Sequence, residues 1–153
     1  MKFLKYLTFF LIINFSALGV GSWLMENGPR TSWYINLNKA PWTPPGWVFG
    51  IAWFSIMVCF SIYMTYLYKA TPNTKLKILF LLQLIFNILW NYLFFNKHFV
   101  FLGLACIILL TAIVGKLLFD YKNLLQSKSL LILPYFIWLC IATSLNLYIY
   151  IFN

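Results

Sequence analysis

Residues 76–95 read LKILFLLQLIFNILWNYLFF, with a single cation, Lys77, near the start. Twenty residues wound as an α-helix rise about 30 Å, the thickness of a bilayer's hydrocarbon core, so this stretch predicts a transmembrane helix. Its polar residues are not scattered. Gln83, Asn87, Trp90, Asn91 and Phe94 follow one another at steps of four, three, one and three. At about 100° per residue they share an arc of roughly 100°, a single stripe. An unpaired amide in hydrocarbon costs several kcal/mol, so the stripe is expected to face other helices or an internal cavity.

The rest of the chain repeats the pattern. Of 153 residues, 63% are hydrophobic, 22% aromatic and 8% charged, against about 25% charged in soluble domains. So few charges cannot coat a water-exposed surface. Apolar segments long enough to span lie at about 3–24, 46–68, 76–95, 99–119 and 129–152. The reading is an all-α membrane protein, one domain over residues 1–153, with five transmembrane helices. Lys2 and Lys5 precede the first segment as they would in a signal peptide. The run from Phe9 to Leu24 outlasts the usual h-region of about 7–15 residues, so it is read as a retained span.

The net charge of +9 is accounted for by topology. Assigning connections to alternate faces puts Lys2, Lys5, Lys69, Lys75, Lys77, Lys116, Lys122 and Lys128 on one side, and Arg30, Lys39 and Lys97 on the other. The basic side is cytoplasmic by the positive-inside rule. The N-terminus is then inside, the C-terminus and first loop outside. Anionic membrane lipid explains the basic residues, and no nucleic-acid surface is needed. Cys59, Cys106 and Cys140 are far apart, lack ligand spacing and read as small buried apolar residues; no metal site is indicated.

Three connections are short: 69–75, the hairpin Asn96-Lys97-His98 with a solvent-facing histidine, and the polar break at 120–128. The first, 25–45, is long. It leads into KAPWTPPGWVFGIAW, residues 39–53. Pro44-Pro45 reads as a rigid start to the second span, since a proline at a first helical turn forfeits only an unsatisfied N–H. Trp42 and Trp47 suit the bilayer interface. Trp53 sits two turns deeper and needs another explanation.

Span five carries Tyr135, Trp138, Ala142 and Asn146 on one face; span two carries Phe49, Trp53, Met57 and Phe60. Two readings stand. Amides on such faces can join helices by hydrogen bonds, or they can line a cavity whose flat rings suit a planar aromatic ligand. The only acids are Glu26 and Asp120, near membrane boundaries. With no intramembrane acid or base, proton-coupled pumping is disfavoured. No nucleophile–base pair or phosphate-binding loop supports hydrolysis or phosphoryl transfer. Gly46-x3-Gly50 fits the helix-pairing pattern but lies at a helix start, where glycine is ordinary. Ala17 and Gly21 offer a candidate dimer face on span one.

Three separated motifs together resemble the TspO/MBR family, the tryptophan-rich sensory proteins and translocator proteins. They are Trp33-Tyr34-x2-Leu37-x-Lys39 running on to Trp42-x-Pro44-Pro45-x-Trp47-Val48-Phe49 with Trp53; Gln83-Leu84-x2-Asn87-x2-Trp90 with Phe94-Phe95; and Pro134-Tyr135-x2-Trp138-x3-Ala142-Thr143-x-Leu145-Asn146. The resemblance implies a five-helix bundle in a bacterial cell membrane, usually a homodimer, with the first loop as lid over a pocket. Carried onto this chain, the pocket is lined by Tyr34, Pro44, Phe49, Trp53, Asn87, Trp90, Trp138 and Ala142. Implied ligands are porphyrins and other tetrapyrroles, with synthetic benzodiazepine-type compounds; no cofactor is required. Ala40 stands where the family has the proline of a Lys-Pro pair, Cys106 where an acid is frequent, and the basic end of the animal sterol-contact motif is missing, which disfavours cholesterol. The leading expectation is a receptor or carrier for protoporphyrin-type ligands, in transport, sensing or disposal. Alternatives are a light-dependent porphyrin-degrading enzyme with Trp53 and Trp138 as redox-active candidates, or a non-catalytic regulatory partner of another membrane protein.

Overall fold

The computed structural model covers residues 1–153 and is helical without strands. Five long α-helices, α1 (Lys2–Leu24), α3 (Gly46–Ala70), α4 (Thr74–Asn91), α5 (Val100–Leu125) and α6 (Leu133–Phe152), are joined by one short helix, α2 (Ser32–Asn36), and by 3-10 and π segments. Four continuous helical segments are long and apolar enough to cross a membrane: Lys2–Arg30, Gly46–Ala70, Thr74–Asn96 and Val100–Phe152. The last spans 53 residues and contains both α5 and α6. Outer faces keep large apolar side chains exposed, among them Phe9, Ile12, Phe54, Leu102 and Ile151. Such a surface is stable against lipid rather than water: this is an integral membrane protein.

The helices close into a ring. α1 packs between α3 and α4, α4 packs on α5, α5 on α6, and α6 returns to α3. The chain reverses at Gln126, at φ 50°. Thr111 then meets Thr143 at 3.2 Å, Phe119 meets Phe136 at 6.0 Å between ring centroids, and Phe101 meets Tyr150 at 5.6 Å. Contact partners that fall in number as the other helix's rise define an antiparallel pair.

Several sequence expectations change. The polar break at 120–128 is helical: α5 runs to Leu125 and a 3-10 segment, Gln126–Ile132, completes the turn. Span three continues as a π-helical turn, Tyr92–Asn96. Cys106 is buried and donates to the Phe86 carbonyl at 3.4 Å, whereas Cys140 is exposed on α6, an outward face where a thiol packs against lipid as readily as in a core. Ala17 and Gly21 are buried within the protomer. A Cβ on Gly21 would lie 2.8 Å from the Asn91 amide nitrogen, so this small-residue face seats α4 and is not offered to a second copy. Nothing lies within 4 Å of a Cβ placed on Gly46 or Gly50, so the GxxxG match packs no helix within the protomer. His98 is exposed, at φ 57°, but its ring stacks on Trp33 at 4.0 Å.

Polar side chains pin the interior. Asn14 on α1 is 1% exposed and donates from Nδ2 to Ser61 Oγ on α3 at 2.8 Å, while its Oδ1 has no partner. The two halves of this bond should respond unequally to mutation. Asn14→Leu removes the unsatisfied acceptor along with the donor and will cost under about 1 kcal/mol. Ser61→Ala leaves the whole Asn14 amide stranded and will cost about 1–3 kcal/mol. Thermal unfolding in detergent reads the order.

A candidate ligand cavity under the first connection

The stripe on α4 serves two purposes. Gln83, Asn87, Trp90 and Phe94 are all buried. At the deep end Gln83 Oε1 accepts from the Tyr135 hydroxyl of α6 at 3.0 Å, an interhelical bond of the kind that holds transmembrane bundles. One turn further along, Asn87 and Trp90 line open space, while Asn91 and Phe94 meet Gly21 of α1 and Gly103 of α5. The stripe thus joins helices at one depth and lines a cavity at another.

That space is a cavity of about 830 Å³ between α1, α3 and α4, roofed by the 25–45 connection. It lies in the upper part of the roughly 300–1,000 Å³ range of small-molecule sites. Of the eight sequence-indicated residues, Tyr34, Pro44, Phe49, Trp53, Asn87 and Trp90 line it. Trp138 and Ala142 do not. Trp138 stands edge-on behind Phe49, 5.3 Å between centroids at 80°, and Ala142 is buried on α6. Residues that the sequence reading had not singled out for the pocket also line it: Leu18, Met25, Arg30, Lys39, Asn91 and Phe95 among them. Leu18 comes from α1 and Met25 from its C-cap, and the sequence there shows only an apolar run. Arg30 and Lys39 had been absorbed by the topology argument.

The aromatic wall is held rigidly. Trp90 stacks on Phe94 at 5.7 Å and 8°, and meets Phe95 edge-on at 5.6 Å. Trp53 stands edge-on to Tyr135 at 6.0 Å, whose hydroxyl is the one bonded to Gln83. Edge and offset geometries are those the ring quadrupole favours. Among the unused hydrogen-bonding groups of the lining are two on α4. The Trp90 indole N–H is buried without a partner. Asn87 accepts at its backbone carbonyl from Asn91, while its own amide bonds nothing in the chain. Buried donors without partners are rare in native proteins, and each calls for an explanation.

The roof is ordered by local bonds. Thr31 caps α2 by accepting from the Tyr34 N–H at 3.3 Å. The Lys39 ammonium donates to the carbonyls of Tyr34, Ile35 and Leu37 at 2.9, 2.8 and 3.2 Å, and lies 5.1 Å from the Tyr34 ring centroid. Burial raises the Tyr34 phenol above its usual pKa, so it remains a neutral donor at physiological pH. Ala40 is buried, and its carbonyl accepts from Thr43 N–H at 2.9 Å and Thr43 Oγ1 at 2.7 Å. Pro41 then occupies the second position of a tight turn, which its fixed φ suits. Pro44 and Pro45 immediately precede α3, whose first residue is Gly46.

The roof is also tethered on two sides. Toward α6, Asn38 N–H donates to Asn153 Oδ1 at 2.9 Å, Asn38 Nδ2 to the Phe152 carbonyl at 3.0 Å, and Asn153 Nδ2 to the Asn38 carbonyl at 3.1 Å. Trp42 Nε1 donates to Ser144 Oγ at 3.1 Å. Toward the α4–α5 turn, Trp33 stacks on His98 and Asn96 Nδ2 donates to Glu26 Oε1 at 3.1 Å.

Comparison with known proteins finds relatives along most of the chain. The sequence profile of the TspO/MBR family matches residues 9–151. A tryptophan-rich protein TspO of Archaeoglobus fulgidus is 33% identical over 146 residues, 93% of this chain and 94% of that one. A tryptophan-rich sensory protein of Cereibacter sphaeroides is 32% identical over 114 residues, covering 74% and 72%. The translocator protein of Homo sapiens is 25% identical over 125 residues, covering 78% and 74%.

Proposed function

The chain belongs to the TspO/MBR family, and on that premise we propose that it is a membrane receptor or carrier for tetrapyrroles of the protoporphyrin type, held in the cavity beneath the 25–45 connection. The observation that carries the reading is the pairing of aromatic walls with an unpartnered, buried Trp90 N–H at the cavity's edge. A flat macrocycle packs against Trp53, Trp90 and Phe49, and its polar groups take up the Trp90 indole and the Asn87 amide. Its carboxylates point to the mouth, where Arg30 lines the cavity and makes no ion pair. A free-base macrocycle needs no axial ligand, and none of these residues is one. Trp138 acts in this reading by backing Phe49. Benzodiazepine-type compounds present similar planar surface to the same walls.

The antiparallel packing of α5 and α6 supports five crossings, and the tethered connection serves as the lid. The topology reading places the N-terminus in the cytoplasm of a bacterial cell and the lid outside. In support, Lys75 and Lys116 both approach Asp120, at 2.6 and 3.0 Å, which gathers basic residues at the end of the bundle opposite the cavity. A homodimer remains part of the proposal, through a face other than Ala17 and Gly21.

Titration of detergent-purified protein with protoporphyrin in the dark, following tryptophan quenching, tests the reading. Saturation at micromolar or tighter concentration is expected. Linear quenching that never saturates, equal to that of free tryptophan in the same micelles, overturns it and favours a regulatory partner protein. Arg30→Gln will weaken binding about 2- to 5-fold, the worth of one exposed ion pair, and will leave binding of the neutral dimethyl ester unchanged.

The light-dependent enzyme is the second reading, favoured by Trp53 lining the cavity. Trp53 there gives one electron to an excited porphyrin, leaving an indole radical cation and a porphyrin radical anion. Trp138, behind Phe49, is placed for a second transfer rather than the first. Porphyrin loss under illumination that falls in Trp53→Phe without loss of dark binding supports it; equal loss with and without protein removes it.

A further inference from the structure

At the end of the bundle opposite the cavity, α1, α3 and α4 leave a second space of about 530 Å³, walled almost entirely by apolar side chains, including Phe9, Phe10, Ile13, Phe80 and Leu84. Two cations, Lys5 and Lys77, are its charged lining residues. They differ from most other lysines at this end. Lys75 and Lys116 share Asp120, while Lys69, Lys122 and Lys128 lie over the rings of Phe3, Phe119 and Tyr66. Lys5 and Lys77 have neither an acidic nor an aromatic partner. The hydroxyls of Tyr6 and Tyr68, whose rings meet edge-on at 5.2 Å in the same wall, also make no bond within the chain.

The polar groups sit at one end of the groove. Lys5 and Tyr6 open α1, Tyr68 closes α3, and Lys77 lies in the first turn of α4. From Lys5 to Ile13 along α1 is eight residues, about 12 Å of helix. That is close to the depth of one leaflet of a hydrocarbon core about 30 Å thick. A long lysine stem lies along apolar surface and carries its ammonium to the headgroup level. We infer that this groove is a binding site for a single anionic phospholipid, one acyl chain lying against Phe9, Phe10, Phe80 and Leu84 and the phosphate between Lys5 and Lys77. Apolar walls one leaflet deep select a lipid chain, and two unpaired cations at the mouth select negative headgroup charge. A free phosphate would use the lysines but not the walls. A second copy of this chain would present the same two cations to its partner.

Native mass spectrometry of the detergent-purified full chain tests this, with dioleoyl phosphatidylglycerol and dioleoyl phosphatidylcholine titrated in turn. One molecule of the glycerol lipid is expected to be retained about 25-fold more tightly than the choline lipid, roughly fivefold for each lysine near an anionic headgroup. Lys5→Gln/Lys77→Gln removes that preference. Leu81→Trp, at an exposed lining position, fills the groove and weakens retention of both lipids. Equal retention of the two lipids by the unaltered protein overturns the proposal, as does a preference that survives in the double variant. So does a dimer that takes the place of lipid adducts and is lost in the double variant. Dark porphyrin titration of Lys5→Gln/Lys77→Gln should match that of the unaltered protein, since neither lysine lines the cavity.

Discussion

Trp53→Ala and Trp90→Ala will each weaken protoporphyrin binding by about 30-fold or more, while Trp90→Phe will weaken it only about fivefold. The first figure is that of a buried aromatic anchor, worth about 2 kcal/mol or more when truncated. The second isolates the indole N–H, since phenylalanine keeps a ring in the Trp90–Phe94 stack and loses only a hydrogen bond worth about 1 kcal/mol. Porphyrin fluorescence is the proper readout, because the substitutions remove the protein's own reporters. If the alanine variants bind as the unaltered chain does, the macrocycle does not lie against these walls. If Trp90→Phe is as damaging as Trp90→Ala, the hydrogen bond matters more than the stack.

The second large effect concerns Gly103, where α5 crosses the π-helical turn of α4. A Cβ there would lie 3.1 Å from Phe94 Cβ and 3.5 Å from its Cα. The nearest obstacle is thus close to backbone, and a rotamer change cannot clear it. Gly103→Leu will destabilise the bundle by about 1–3 kcal/mol through overpacking, a fall in Tm of about 3–10 °C for a chain of this size. It should also reach the cavity. Phe94 carries Trp90 on its face, so pushing α5 away from Phe94 disturbs the wall without touching it. Porphyrin affinity that drops in step with Tm supports that coupling; unchanged affinity in a destabilised variant shows the wall to be independent of α5.

Much of this was legible in the sequence because two signals are local. Apolar length marks the spans, and the repeat of Gln83, Asn87, Trp90 and Phe94 marks an inward face whichever helices it meets. What a stripe meets is not local. Gln83 finds Tyr135 and Asn87 finds open space, although both are carboxamides on one face of one helix. Asn14 gave no sign, being a single carboxamide in an apolar run, and its partner Ser61 is 47 positions away. Asn38 and Asn153, 115 positions apart, pair only because the ring brings the first connection over the last helix. Trp138 shows the converse: its position on an inward face was readable, but not that Phe49 would stand in front of it. The end of α5 was misplaced because DYKNLLQSK looks like a loop by polarity, while helical backbone at a membrane surface tolerates polar side chains.

The tethers of the first connection carry a kinetic consequence. Bonds broken to let a ligand pass and remade afterwards cancel from the equilibrium but not from the barrier. Each 1.4 kcal/mol taken off that barrier speeds passage about tenfold in both directions. Loosening Asn38 from Asn153, or Trp33 from His98, should therefore shorten the time a ligand stays and the time it takes to arrive by the same factor, with affinity unchanged. On the proposed reading, the walls decide what is held, and the straps over them decide how long.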